Sequence, residues 1–203
     1  MRPVSRVLAA LRGKGLLLEQ DKTFPSVVGI LTGESLRTSW WSHPEAHAIF
    51  AVMSELRDHP DVLFAKLLYR KDTLIDRSLW PAVLAVGRAR DPWQVKGLSA
   101  DARRLLERLR KGGDVPVRGV GTPVKELERR LLVTTREVHT ESGRHEMALE
   151  SWQAWSRRLA CTADRSVPRA RRALEDAAVG LGAPLTSLPW PTPGGAGALS
   201  FKP

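Results

Sequence analysis

The chain has one cysteine, Cys161, among 203 residues. A single thiol excludes an intramolecular disulfide and a thiolate zinc cage. Nowhere do about 18 apolar residues run together, which argues against a membrane-spanning helix. The basic start, Met1 to Arg6, leads into an apolar stretch broken by Arg12 and Lys14, so no secretory signal is expected. Common catalytic signatures are missing too. Arg12-Gly13-Lys14-Gly15 is too short for a phosphate loop, and no Gly-x-Ser-x-Gly occurs. His139-Thr140-Glu141 has the His-x-Glu of zinc deaminases without the Pro-Cys-x-x-Cys that must follow. These absences describe a soluble, cytoplasmic protein with no expected cofactor or metal.

Acidic residues are also scarce. Twenty-two acids face 32 bases, for a net charge of +10 and a pI near 10.6. Such an excess favours an anionic partner, nucleic acid first. The apolar share of 42% is ordinary for a globular chain and enough to build a core. Charge is uneven along the sequence: residues 1–20 carry +3, 21–60 carry −2, and 151–203 carry +4.

Apolar spacing and stop signals divide the chain into elements. Val4, Val7, Leu8 and Leu11 predict a first helix, with Leu16–Leu18 as an extended exit. A short apolar helix over 24–31 ends at Gly33. Ser42-His43-Pro44-Glu45 is a helix start with proline in the first turn, and Ile49, Phe50, Met53 and Leu56 form its inner face. Residues 62–69 and 73–76 read as strands about Arg70-Lys71-Asp72. A helix follows from Ser78-Leu79-Trp80-Pro81, and Gly87-Arg88-Ala89-Arg90-Asp91-Pro92 resembles a linker.

A similar order then returns. Ser99 caps a helix over 100–111, Val115–Val117 is a short strand, and Thr122-Pro123 opens a helix to about Leu131. Residues 134–139 and 145–152 flank Glu141-Ser142-Gly143-Arg144 as a second hairpin. Two further helices are expected over 151–159 and 166–179.

Helix, helix, capped helix and hairpin, met about twice, resembles bacterial winged-helix DNA-binding proteins. More loosely the chain is similar to tandem winged-helix DNA glycosylases. The hairpin block from Leu131 to Gly143 and the Leu79-Trp80-Pro81 helix start carry the likeness. The catalytic Gln-x-Gln of those glycosylases is absent: the glutamines are Gln20, Gln94 and Gln153. The expected fold is therefore helix-rich α+β, with tandem winged-helix-like modules and short hairpin wings. Its parts are a first module over 1–86, a linker over 87–97, a second module over 98–160, a basic helix over 161–179 and a flexible Pro/Gly-rich tail over 180–203.

The resemblance implies binding of double-stranded DNA, chiefly at its phosphates. Lys125, Arg129 and Arg130 would lie on a groove-facing helix, with Arg136 and Arg144 on its wing and Lys66, Arg70 and Lys71 on the first wing. Arg165, Arg169 and Arg172 share one helical face. Trp40 and Trp41, with Arg37 nearby, offer stacking to bases, with at least one of the two expected in the core. Glu34, His43, His47, His139 and Glu141 are the candidates for a rival reading, a base-excision enzyme with a Trp/His-lined cleft. A further alternative is a protein-interaction adaptor with a basic arm. His43 and His47 lack the intervening Glu of a His-Glu-x-x-His metal site.

Overall fold

The fold comes from a computed structural model that describes residues 1–112, 115–117, 121–139, 145–164 and 166–191. Helix α1, Pro3–Lys14, has proline in its first turn, buries Val4, Val7 and Leu11, and stops at Gly15. The φ of +75° at Gly15 is a conformation glycine adopts without steric cost. Strand β1, Leu16–Leu18, is wholly buried. Helix α2, Val27–Thr32, is capped by Ser26, whose Oγ accepts the Gly29 N–H at 3.1 Å. Helix α3, Ala46–Arg57, buries Ile49, Val52, Met53 and Leu56. Strands β2, Val62–Ala65, and β3, Thr73–Asp76, complete an antiparallel sheet in the order β1-β3-β2.

Helices α4, Trp80–Arg88, α5, Pro92–Val95, and α6, Ala100–Gly112, lead into the second sheet. Strand β4, Val115–Val117, precedes helix α7, Thr122–Arg129, and the hairpin of β5, Val133–His139, and β6, His145–Ser151. The order is β4-β6-β5, again antiparallel with the last strand in the middle. Among the described residues no helix separates β4 from α7. Helices α8, Trp152–Arg158, and α9, Val167–Gly180, follow, and then a 3-10 turn, Leu185–Ser187. The protein is thus helix-rich α+β with two small antiparallel sheets. No helix among the described residues is long and apolar enough to cross a membrane.

Two apolar cores form. The smaller lies within the second unit, around Leu106, Leu109, Leu127 and Leu149. The larger holds the first sheet and α1 to α4, and also takes in Leu131, Trp152, Trp155, Leu174 and Trp190. This corrects three boundaries. The basic helix expected over 161–179 is no separate arm, because α9 buries Ala170, Leu174 and Ala178 and packs on α4. The tail expected from 180 packs through Leu181, Ala183, Leu188 and Trp190, and the Trp190 indole N–H donates to Glu175 at 2.9 Å. Its prolines forbid a helix but do not prevent burial; residues 192–203 lie outside the described residues.

The stretch 87–97 is the third correction, a fixed joint where a linker was expected. Gln94 is fully buried, its Oε1 accepting the Asp91 N–H at 2.9 Å and its Nε2 donating to the Arg130 carbonyl at 3.1 Å. Beside it the Trp152 indole N–H donates to the Leu131 carbonyl at 2.7 Å. Leu131 itself holds a positive φ of 51°, uncommon for a leucine. The Trp152 ring fits only because residue 87 is glycine: a Cβ there would lie 2.4 Å from its Nε1.

Gly87→Ala should therefore push Trp152 off Leu131 and destabilise the protein by about 1–3 kcal/mol, as overpacked sites do. Differential scanning calorimetry should show Tm lower by roughly 2–12 °C. An unchanged Tm would mean that Trp152 has room to move.

Candidate functional site

Helix α7 carries bases and acids in alternation, which in sequence looks self-neutralising. The fold separates them. Glu126 turns inward to accept from the Ser99 N–H at 3.1 Å and from its hydroxyl at 2.7 Å, at the start of α6. Glu128 accepts from the Thr135 hydroxyl on β5 at 2.9 Å. Thr122, Lys125 and Arg129 remain on the exposed face, at a spacing of three and four residues. Neither Lys125 nor Arg129 has a carboxylate in ion-pair range among the described residues.

Arg130 does something else. Its guanidinium donates to the carbonyls of Trp93, Gln94 and Lys96 at 3.1, 3.2 and 2.8 Å. It locks the joint and is not offered to a ligand in the way the helix pattern suggested.

The turn of the first hairpin is short, and two of its bases are held by acids of the same unit. Between β2 and β3 the chain makes a tight 3-10 turn with Leu67 and Leu68 buried. Lys66 pairs with Asp72 at 2.5 Å and Lys71 with Asp21 at 2.8 Å. Burial works to raise the Asp21 carboxyl, yet hydrogen bonds from Lys71 and from the Thr23 and Phe24 N–H groups hold it below the usual range. Of the three bases expected on this wing only Arg70 is exposed without a bound carboxylate.

A cleft of about 410 Å³ opens where the two units meet. Arg57 at the end of α3, Phe64 on β2, Arg136 on β5, and Trp155 and Arg158 on α8 line it. Arg57 pairs with Glu19 at 3.1 Å and lies 4.5 Å over the Phe64 ring. Arg158 grips the buried Glu150 through two hydrogen bonds of 2.9 and 2.7 Å. Sequence points to Arg136 as a wing residue and to Arg158 only as part of the basic run over 157–172. Arg57 and Arg158 belong to elements about 100 residues apart, so no local pattern joins them.

The tryptophan–histidine segment does not line this cleft, whose tryptophans are Trp80 and Trp155; Glu34 lines a second pocket with Phe24 and Ile30. Trp40 is 5% exposed and donates its indole N–H to Glu19 at 3.4 Å. Trp41 is 63% exposed and stacks on Trp40 with ring centroids 4.0 Å apart. His43 caps the Glu45 N–H through Nδ1 at 3.2 Å, and its Nε2 lies 3.9 Å from Glu34. His47 and Arg37 are exposed. Among the described residues no group of three ligating side chains is placed to hold a metal ion. His139 and His145 pair as backbone partners in β5 and β6, while Glu141, Arg144 and Arg165 lie outside the described residues. On α9, Arg169 and Arg172 are exposed, with Asp164 3.9 Å from Arg169.

Two carboxyls behind the cleft were not foreseen. Burial raises Glu19, and Asp72 adds to the effect while Arg57 opposes it. Burial likewise raises Glu128, with the Thr135 hydrogen bond opposing, and its Oε2 is buried with no hydrogen-bond partner. A carboxyl raised in the folded state contributes most below its unfolded pKa, and that contribution is lost as pH rises through the folded pKa. Glu128→Gln keeps an acceptor for Thr135 and removes the charge. Thermal melts from pH 8 to pH 4 should show the variant more stable than wild type at the alkaline end, with the gap closing as pH falls. A gap that does not change with pH would exclude the charge as its cause.

Comparison with protein-family models, curated proteins and solved structures finds no significant match to this chain.

Proposed function

We propose that the chain is a pair of winged-helix modules that binds double-stranded DNA, mainly through its phosphates. What supports the modules is the strand order in both sheets, with the third strand between the first two and a helix immediately before each hairpin. The observation that carries the binding reading is the sorted charge of α7. Glu126 and Glu128 are drawn inward by hydrogen bonds, so Thr122, Lys125 and Arg129 present a basic face beside the hairpin. Such a helix lies in the major groove while the hairpin tracks the backbone.

The corresponding face of α3 is not basic. It shows His47, Phe50, Ala51 and Glu55. The second unit therefore supplies the duplex grip.

Each phosphate contact contributes about 0.9 to the slope of log affinity against log salt. Lys125→Ala/Arg129→Ala should weaken duplex binding and flatten that slope by about 1.8, read by fluorescence anisotropy over a salt series. Arg130→Ala should instead lower Tm, because it frees three carbonyls at the joint. Unchanged duplex affinity and slope in a folded Lys125/Arg129 variant would remove α7 from the interface.

A further inference from the structure

Of the seven tryptophans, Trp41 alone is mostly exposed. Trp40, against which it stacks, is buried and fixed by Glu19, so the outer indole is held at a set angle with only one face covered. Phe50, 52% exposed on α3, lies 5.7 Å from it. Ser54 and Arg57 follow Phe50 at four and seven residues, which places all three on one helical stripe about 10 Å long. Arg57 ends that stripe at the mouth of the inter-unit cleft, whose other wall carries Arg136 and Arg158.

An exposed aromatic platform running into arginines has the composition of a single-strand groove, where bases stack on rings and cations meet phosphates. A protein partner fits less well. The open area of the two rings is on the order of 250 Å², against about 800 Å² per partner in a standard interface. Of the acids nearby, Glu55 pairs with Arg2 at 3.4 Å and Glu34 lies 3.9 Å from His43, while Glu45 and Asp58 stand exposed at the two ends of α3.

We propose that Trp41, Phe50 and the α3 stripe ending at Arg57 hold an unpaired nucleic-acid strand, so that the chain grips a duplex with its second unit and an adjoining single strand with its first. This rests on the reading that the chain binds nucleic acid, and it adds a preference for duplex bearing an unpaired end. The stacking partner is Trp41, and Trp40 only supports it.

The test compares a short blunt duplex with the same duplex carrying a single-stranded oligothymidine tail, by anisotropy and by tryptophan emission. Wild type should favour the tailed duplex by roughly fivefold to a hundredfold, and the tail should quench emission. Trp41→Ala/Phe50→Ala should bring the ratio of the two affinities close to one, while Trp41→Phe keeps part of the preference. That partial retention separates loss of stacking from loss of fold. Equal affinity of wild type for both probes would overturn the strand proposal and leave duplex binding intact. Survival of the preference in the double variant would overturn it as well. Binding of the tail without the duplex would support the strand site and sink the α7 reading. Binding of neither would sink both and turn the aromatic pair toward a protein partner.

Discussion

The hydrogen bond from the Trp152 indole to the Leu131 carbonyl, made across a glycine, fixes how the two units meet. Around it Gln94 and Arg130 exchange hydrogen bonds with the backbone of each other's segment. All of these donors and acceptors are half-buried or buried, where an unmade hydrogen bond costs more than a made one contributes. The joint therefore favours one arrangement, and the walls of the cleft follow from it. Arg57 and Arg158 come together because Trp152 and Trp155, on the same helix, are seated against the first unit's core.

Once that joint is closed, electrostatics become a question of direction more than of sum. A net charge of +10 says that bases outnumber acids but not where they point. Asp21, Asp72, Glu126 and Glu150 are each bound by a lysine, an arginine or a serine within the fold. Lys66 and Lys71 are held by acids of the first unit, and Arg130 by three backbone carbonyls. Lys125 and Arg129 stand exposed, and their neighbouring acids are occupied elsewhere.

Much of the secondary structure could be read from local signals. Apolar spacing marks α1, a serine cap followed by proline marks α9, and the strands of both hairpins follow from β-branched and apolar runs either side of polar turns. The stretch around Gln94 reads as a linker because glycine, arginine and proline cluster there, while its partners at 130 and 131 lie far along the chain. The tail reads as flexible for a related reason: Trp190 is buried by Glu175 and Trp93 rather than by any periodic face of its own. The charge pattern of α7 needed the third dimension, since Ser99 and Thr135 approach it from other elements. Of the paired tryptophans, sequence expects one in the core without saying which; burial gives that place to Trp40.

The larger core joins residues far apart in sequence, for Val7 and Leu11 share it with Leu174, Leu188 and Trp190. During synthesis the amino-terminal unit emerges well before those residues exist, leaving the wall of α4 uncovered until α9 arrives. Its completion is thus timed by the synthesis of α9 and the residues after it. A ribosome paused in the second unit would display an apolar surface that the finished protein hides, and such surfaces are what chaperones and aggregation compete for.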